Sequence, residues 1–237
     1  MRNTDKPVSF FGGKLLFYQP SEHKISVDLI LFLSKIRGIK RNSRIIDLGA
    51  GFGFLSITLA KKFGIKVVAL ELDEFMIKLL RKNVKINNLD NLVEVIKGDV
   101  REIEKIFKRA SFDVVITNPP FYPPEFSPKP DPYHFELTGK LEDFIKASSY
   151  LLRDGGYLNI LLPCFRIPRA FALMEKYNLP PRYLALIYPT LSKNARLSIV
   201  IGIRNVKGPL ECEKALVVND ERGEYTPFVK ELLENFL

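Results

Sequence analysis

Apolar runs typical of buried strands alternate with amphipathic segments between residues 43 and 204, and this alternation restricts the fold more than any other feature. The predicted strands are 44–48, 66–71, 92–97, 112–117, 156–162, 182–188 and 197–204, and the predicted helices are 53–63, 74–87, 101–109, 140–152 and 166–177. Short β-branched runs of this kind suit buried parallel strands, which need a crossover, usually a helix, between them. The sequence therefore predicts an α/β fold with a doubly wound sheet.

The last two predicted strands and the two ends of the chain depart from this alternation. No helix is evident between the last two predicted strands, so we expect them to form an antiparallel hairpin at one edge of the sheet. We divide the chain into an N-terminal arm and helix that cap the core (1–42), a central domain (43–204), and a closing strand and helix that belong to the same unit (205–237).

A glycine turn follows the first strand of the central domain. Asp47 lies near the end of that strand, and Gly49, Gly51 and Gly53 alternate with other residues directly after it. Such a turn lets the backbone approach a nucleotide-like ligand at the carboxyl ends of the strands. Phe54 stands where the dinucleotide pattern Gly-x-Gly-x-x-Gly would place its third glycine, so the turn favours a nucleoside with a charged tail over a dinucleotide.

Acidic residues end or follow the next two predicted strands. Glu71 lies 18 residues after Gly53, close to the spacing at which a carboxylate binds the hydroxyls of a ribose. Asp99 follows the third strand after Lys97 and Gly98, and its carboxylate can accept a hydrogen bond from the exocyclic amine of an adenine. Both acids are expected at the edge of the sheet that carries the glycine turn.

The segment from Asn118 to Phe121 follows the fourth strand and provides groups that fit a planar amine. The Asn118 amide offers a carbonyl oxygen, and the carbonyl of Pro119 is kept out of regular hydrogen bonding because Pro120 has no backbone N–H. Phe121 adds a ring on which a planar group can stack. These residues predict a clamp for a ring that carries an NH2 group, although an Asn-Pro-Pro turn also ends strands for purely conformational reasons.

The segment that continues this clamp, residues 119–137, contains seven prolines and several aromatic residues. Proline lowers the entropy that a loop loses when it closes on a substrate, so we expect a lid that faces the substrate. A stiff surface loop that packs on its own domain is the alternative.

The composition of the chain indicates which class of partner it binds. The chain has 36 Lys and Arg against 27 Asp and Glu, a formal net charge of +9, which favours a polyanion over a small acidic substrate. Cys164 and Cys212 are far apart, so neither a disulfide framework nor a metal site is predicted. The sequence shows no signal peptide and no run long enough to span a membrane, and a cytoplasmic location is expected. A single glutamine beside abundant charged residues favours a heat-adapted source.

Asp47 to Gly53, Glu71, Asp99 and Asn118 to Phe121 together resemble the motifs of class I S-adenosylmethionine-dependent methyltransferases that methylate amines. From about Phe17 onward the chain is more closely similar to the bacterial family that methylates N6 of adenosine 37 in valine tRNA. This resemblance implies a Rossmann-like sheet of seven strands with the last antiparallel, S-adenosylmethionine as cofactor, and tRNA as partner. At Pro132 to Glu136, however, the chain lacks the arginine of the Ala-Arg-His-Glu-like stretch that the family usually shows.

The resemblance also assigns candidate residues. The catalytic candidates are Asn118, Pro119, Pro120 and Phe121. The cofactor candidates are Asp28, Asp47, Gly49, Gly51, Gly53, Glu71, Leu72, Asp99 and Val100. Substrate or RNA contacts are assigned to Tyr122, His134, Lys193 and Arg196, and Arg166 and Arg169 are further cations that could bind phosphate.

Several substrates remain open on sequence alone. Related enzymes use nearly the same clamp on guanine N2 in ribosomal RNA, on adenine in DNA, or on a glutamine amide of a translation factor. A non-catalytic RNA-binding module on a methyltransferase fold is a further alternative. A nicotinamide dehydrogenase is disfavoured by Phe54.

Overall fold

A computed structural model describes residues 6–21, 24–123, 125, 127–129, 136–137 and 139–237. The strands of its central sheet are β3 (Ile45–Leu48), β4 (Val67–Glu71), β5 (Val93–Lys97), β6 (Phe112–Thr117), β7 (Leu152–Pro163), β8 (Pro181–Tyr188), β9 (Leu197–Ile203), β10 (Glu211–Cys212) and β11 (Leu216–Val217). An N-terminal hairpin of β1 (Val8–Phe10) and β2 (Leu15–Phe17) forms a separate small sheet.

The strand order of the main sheet is β8, β9, β7, β6, β3, β4, β5, with β10 and β11 paired along the outer side of β8. Every pairing is parallel except those of β9, which is antiparallel to both β7 and β8. The predicted doubly wound sheet and its C-terminal hairpin are therefore confirmed. The closing strand predicted within residues 205–237 is represented by β11, which is only two residues long and does not extend the sheet beyond β8 by a full strand.

The helices cover both faces of this sheet. They are α1 (Val27–Lys35), α2 (Phe54–Phe63), α3 (Glu74–Ile86), α4 (Ile103–Ile106), α5 (Leu141–Leu151), α6 (Ile167–Lys176) and α7 (Pro227–Asn235). The predicted helix at 101–109 is shorter than expected, a single 3-10 turn followed by α4. None of the described helices is both long and apolar enough to cross a membrane.

Neighbouring residues of a strand point to opposite faces, and this divides the apolar core in two. Ile45 belongs to the cluster that includes residues of α1, α2, α3 and the N-terminal hairpin, whereas Ile46 belongs to the cluster with residues of α5 and α6. Both side chains are fully buried. Continuous apolar runs in the sequence are thus the consequence of a sheet that is covered on both faces.

A buried asparagine joins the N-terminal hairpin to this framework. The Asn83 side chain in α3 accepts a hydrogen bond from Tyr18 N at 2.8 Å and donates to Tyr18 O and Phe52 O, each at 2.9 Å. Phe52 is part of the glycine turn, so one side chain links the hairpin, α3 and the turn. Because Asn83 is fully buried, the backbone groups that it contacts would lose their partners if its side chain were removed.

We expect Asn83→Ala to lower the free energy of unfolding by about 2–4 kcal/mol, since a truncated side chain leaves these backbone groups buried without partners. Urea unfolding of the variant and the parent protein measures the difference. Lys85→Ala, at an exposed position of the same helix, is the control and should change stability by less than about 0.5 kcal/mol. Equal stabilities of Asn83→Ala and the parent would contradict this role.

Candidate functional site

The candidate site lies where the chain reverses the direction in which it adds strands. From β3 the chain proceeds outward through β4 and β5, then returns to place β6 on the other side of β3. Leu48 and Thr117, the last residues of β3 and β6, lie opposite each other, and Thr117 Oγ1 donates to Leu48 O at 2.8 Å. The residues that follow, Gly49 and Asn118, therefore leave the sheet side by side at a topological switch point, where open α/β sheets bind ligands.

A cavity of about 380 Å³ opens at this point. Its wall contains residues from the glycine turn, from the ends of β4, β5 and β6, and from the start of α1. Of the predicted residues, those that line it are Asp28, Gly49, Gly51, Glu71, Leu72, Asp99, Val100, Asn118, Pro119, Pro120 and Phe121. The volume is within the range that small-molecule and cofactor sites occupy.

The backbone conformation explains why two positions of the turn, 51 and 53, are occupied by glycine. Gly51 has φ of +56° and open space where a Cβ would stand, which suits close approach of a ligand. Gly53 has φ of +92°, and a Cβ there would lie 2.1 Å from Leu80 Cδ1. Gly53 does not line the cavity; it allows the first turn of α2 to pack closely on α3, which corrects its predicted place on the cavity wall.

Glu71 ties the glycine turn to the end of β4. Its carboxylate accepts hydrogen bonds from the backbone N–H groups of Gly51 and Leu72, each at 2.7 Å, and of Asp73 at 2.9 Å. Burial raises the pKa of the Glu71 carboxyl, and these three backbone donors partly offset the rise. The side chain thus holds the turn in position and also presents carboxylate oxygens to the cavity wall.

Asp47 has a different role from the one predicted. Its side chain is 1% exposed and lies beneath the turn rather than on the cavity wall. The reason is the strand alternation, which directs Asp47 toward α2, where Oδ2 accepts from Ser56 Oγ at 2.6 Å. Oδ1 has no hydrogen-bond partner within the part of the chain that the structure describes, and burial, opposed by the Ser56 hydroxyl and reinforced by Glu71, raises the pKa of Asp47 to about 7.

Asp99 and Val100 form the wall at the end of β5. The Asp99 carboxylate accepts from the Arg101 backbone N–H at 2.9 Å and forms an ion pair with the Arg101 guanidinium. Hydrogen bonding to Arg101 lowers the pKa of Asp99, so this carboxyl is charged. Asp99 therefore presents a fixed negative group to the cavity.

The clamp residues lie at the end of β6 as predicted. Asn118, Pro119, Pro120 and Phe121 all contribute to the cavity wall. Asn118 Oδ1 is closed off from solvent and has no hydrogen-bond partner among the described residues. A buried acceptor without a partner costs about 1–3 kcal/mol, so an N–H donor that reached this oxygen would be bound favourably.

The start of α1 completes the wall with Lys24, Ser26 and Asp28. Burial raises the pKa of the Asp28 carboxyl, while the Ser26 hydroxyl and the Arg196 guanidinium act in the opposite direction. Sequence reasoning missed Lys24, whose only signal was its place four residues before Asp28. It also missed Phe144 of α5, because nothing in a helix pattern tells which buried ring faces a cavity.

The predicted substrate contacts lie outside the cavity. Tyr122 directly follows the clamp, and Lys193 and Arg196 lie in the connection between β8 and β9. Arg166 is 12% exposed and pairs with the carboxylate of Glu136, so it is not a surface cation. Arg169 is exposed and pairs with Glu142 at 3.1 Å. His134 and the parts of the predicted lid at 124, 126 and 130–135 lie outside the described residues.

The described residues contain no group of three or more histidine, cysteine or acidic side chains that could hold a metal ion. Cys164 is half-buried, Cys212 is exposed, and both are free thiols.

Comparison with known proteins identifies the family. The model of the methyltransferase small domain matches residues 21–172, more than half of the chain. The chain belongs to this family. Its similar proteins include "tRNA1(Val) (adenine(37)-N6)-methyltransferase" of Flavobacterium johnsoniae, with 24% identity over 90% of this chain and 92% of the relative. The protein of the same name from Actinobacillus pleuropneumoniae serotype 7 is 26% identical over 90% of this chain and 89% of its own length.

Another similar protein is named for a different substrate. "Putative protein N5-glutamine methyltransferase" of Methanocaldococcus jannaschii is 31% identical over 61% of this chain and 71% of the relative.

Solved structures agree on the fold. A predicted O-methyltransferase of Agrobacterium tumefaciens superposes with a TM-score of 0.70 and 22% identity, covering 86% of this chain and 93% of that one. A geranyl diphosphate C-methyltransferase of Streptomyces coelicolor A3(2), solved with S-adenosyl-L-homocysteine, has a TM-score of 0.56 and 10% identity, with 84% and 90% covered. The class I methyltransferase fold is thereby confirmed, and the match of the methyltransferase small domain confirms the methyltransferase resemblance.

The cofactor of this methyltransferase is S-adenosylmethionine, as the sequence predicted. The residues of the cavity fit it. Glu71 at the end of β4 provides a carboxylate for hydroxyl groups, Gly49 and Gly51 place no side chain at two points of the turn, and the apolar wall of Phe144, Leu72 and Val100 suits a ring.

The buried carboxyl of Asp47 makes stability depend on pH. Its folded pKa of about 7 lies above the ordinary value of 3.8, so between these values the folded state retains a proton that the unfolded state has lost. The free energy of unfolding therefore falls as the pH rises through this window and levels off above it. Asp47→Asn has no carboxyl at this position and should not show this loss. The free energy of unfolding of Asp47→Asn, relative to that of the parent, should therefore rise by up to about 4 kcal/mol between the two pKa values.

Urea unfolding at a series of pH values measures this difference, with Asp90→Asn at an exposed turn as the charge-matched control. A difference between Asp47→Asn and the parent that does not vary with pH would show that burial does not perturb this carboxyl.

Proposed function

We propose that this methyltransferase transfers a methyl group to N6 of an unpaired adenosine in tRNA, at position 37 of the anticodon loop. The observation that carries the proposal is the position of Asn118: it lines the cofactor cavity together with Phe121, and no described residue donates to its buried Oδ1. The length of the similarity supports it, because the tRNA methyltransferases named above match about nine-tenths of this chain. The net charge of +9 suits a polyanionic substrate.

Each part of the cavity has a task in this proposal. Glu71 would bind the ribose hydroxyls of the cofactor, and Gly49 and Gly51 of the neighbouring turn would let the backbone approach it closely. Leu72 and Val100 would contact its adenine, and Asp99 would accept a hydrogen bond from the adenine amine. Asp28 and Lys24 carry the opposite charges that the ammonium and carboxylate of the methionine tail require. Asp47 and Gly53 act indirectly, by supporting the turn from below.

The clamp acts on the nucleophile. Asn118 Oδ1 and the Pro119 carbonyl accept hydrogen bonds from the two N6 hydrogens, which draws the nitrogen lone pair out of conjugation with the ring. Phe121 stacks on the base, worth about 1–3 kcal/mol. When bound, S-adenosylmethionine would supply an electrophilic methyl group on its sulfur, so that the N–C bond would form as the S–C bond broke and S-adenosylhomocysteine would be the product released. The N6 proton passes to solvent afterwards, so positioning and hydrogen bonding are sufficient and no strong base is needed.

The target base must be unpaired and unstacked from its neighbours to enter the cavity, because the clamp cannot reach an amine inside a duplex. An anticodon loop offers an unpaired adenosine at low cost. In this proposal residues 43–204 carry out catalysis, residues 1–42 cap the cavity and residues 205–237 brace the edge of the sheet. A tRNA substrate would place the activity in the cytoplasm.

Methylation of a protein glutamine amide is the second candidate. The similarity to the Methanocaldococcus jannaschii protein favours it, and a glutamine side chain presents the same planar NH2 to the clamp. That similarity, however, covers 61% of this chain, against 90% for the tRNA relatives. The extra length favours RNA because substrate-specific contacts are expected outside the shared catalytic core.

Incubation of the protein with labelled S-adenosylmethionine and total tRNA, followed by nucleoside analysis, tests the proposal. We expect label in N6-methyladenosine, mapped to position 37 of valine tRNA. Label in N2-methylguanosine of ribosomal RNA, or in a translation factor from the same extract, would replace the proposed substrate. Absence of S-adenosylmethionine binding by calorimetry would instead indicate a non-catalytic RNA-binding module.

Asn118→Ala should reduce methyl transfer about 100- to 1,000-fold, because it removes a hydrogen bond that is strongest in the transition state. Its affinity for S-adenosylmethionine should remain within about twofold of the parent, since Asn118 contacts the amine and not the cofactor. Single-turnover rates and calorimetry measure the two quantities. Asn91→Ala, at an exposed turn, is the matched control and should retain the parent rate.

Glu71→Ala, unlike Asn118→Ala, should weaken the binding of S-adenosylmethionine, by at least about tenfold. One good hydrogen bond to a carboxylate contributes about 1.5–3 kcal/mol. Calorimetry with the cofactor provides the measurement, and circular dichroism checks that the glycine turn has not unfolded the domain. Glu94→Ala, exposed on the adjacent strand β5, is the control. Unchanged affinity of Glu71→Ala would remove Glu71 from the cofactor site.

A further inference from the structure

Three aromatic rings extend from the wall of the cavity to the protein surface. Phe121 lines the cavity, and its ring meets that of Tyr122 edge-on, with centroids 6.2 Å apart and an interplanar angle of 77°. Tyr122 in turn stacks on Phe165 at 5.9 Å and 21°. Phe165 follows the end of β7, and half of its side chain (50%) is exposed to solvent.

A buried ion pair holds the outer two rings in place. The Glu136 carboxylate, 9% exposed, pairs with the guanidinium of Arg166, the residue after Phe165. The backbone N–H of Glu136 donates to Tyr122 O at 2.9 Å, and the Leu141 N–H donates to Glu136 Oε1 at 2.7 Å. One glutamate therefore connects Tyr122, the start of α5 and the turn that carries Phe165. An exposed ring fixed in this way loses little entropy when a ligand stacks on it.

We propose that Tyr122 and Phe165 form a preorganised stacking platform for the nucleobase that neighbours the methylated adenosine. This inference rests on the proposed RNA substrate and adds a substrate-binding residue, Phe165, to the proposed site. When the target base enters the cavity it leaves its neighbour with an uncovered face, and the Phe165 ring is connected to the cavity by two ring contacts. The exposed half of the Phe165 side chain offers a surface on which a further planar ring can stack.

A nucleobase fits the platform better than an apolar protein side chain. Stacking on an aromatic ring is available to every base, and it contributes to single-strand binding without sequence readout. The cation nearest in sequence, Arg166, is neutralised by Glu136 and is not free to bind phosphate, so the platform would act on the base rather than on the backbone. The expected substrate class is therefore a looped-out or single-stranded polynucleotide that extends at least one nucleotide beyond the target.

The test uses the full chain and unmodified valine tRNA assembled from synthetic halves, with an abasic nucleotide placed at position 36 or at position 38. Phe165→Ala should lower kcat/KM on intact tRNA about 5- to 100-fold, mainly through KM, because stacking binds the substrate and the transition state equally. An abasic nucleotide at the neighbouring position on one side should cause the same loss in the parent protein. It should cause no further loss in Phe165→Ala, because the two changes remove the same contact.

Conservative and control variants separate stacking from folding. Phe165→Tyr and Phe165→Trp keep a ring and should retain at least half of the parent activity, whereas Phe165→Leu should behave like Phe165→Ala. Phe63→Ala is the matched control: Phe63 is 45% exposed and lies at the far end of α2, at the opposite edge of the sheet from the cavity. It should leave kcat/KM unchanged, and thermal unfolding should show that all variants are folded.

The outcomes distinguish this inference from the proposed function. Suppose that the parent protein methylates tRNA. The platform is disproved, and the tRNA activity stands, if Phe165→Ala is as active as the parent on intact tRNA. The same conclusion follows if each abasic nucleotide lowers the activity of Phe165→Ala by the same factor as that of the parent. If the parent protein methylates only a protein glutamine, the RNA substrate and the platform are both disproved. Matching losses from Phe165→Ala and from one abasic position establish the platform.

Discussion

The parallel pairing of β3 with β6 is the constraint on which the site depends. Because Leu48 and Thr117 end the two strands at the same level, the glycine turn and the Asn118 clamp emerge next to each other. The Thr117 hydroxyl, which is fully buried, closes the junction by donating to Leu48 O. A shift of this pairing by two residues would separate the turn from the clamp by about 7 Å, more than the length of a hydrogen bond or of a methyl transfer.

Burial of carboxyl groups around this junction shapes the cavity. Glu71 is held by three backbone donors and keeps the turn against β4, while Asp47 supports the first turn of α2 through Ser56. Both carboxyls have raised pKa values because they are removed from water. This burial costs stability, and at Glu71, which lines the cavity, a ligand with hydroxyl groups would add hydrogen bonds to those from the backbone.

Aromatic residues lead from this cavity to the surface. Phe121 belongs to the wall, and Tyr122 and Phe165 continue outward under the support of the Glu136–Arg166 ion pair. Buried ion pairs contribute little net stability, but they define geometry because breaking them is costly. We therefore infer that the Glu136–Arg166 pair positions Tyr122 and Phe165 and contributes little to the stability of the fold.

The sequence alone determined which segments become strands and helices, because a sheet covered on both faces requires continuous apolar runs, and it also identified the glycine turn, Glu71, Asp99 and Asn118. Only the tertiary structure decided what these residues contact. Strand order places β6 beside β3, and strand alternation turns Asp47 toward Ser56 and away from the cavity. Arg166 finds its partner 30 residues away, in a loop whose local sequence carries no signal for it. Local patterns encode the conformation of a segment, whereas the neighbours of a side chain depend on packing between segments that are distant in sequence.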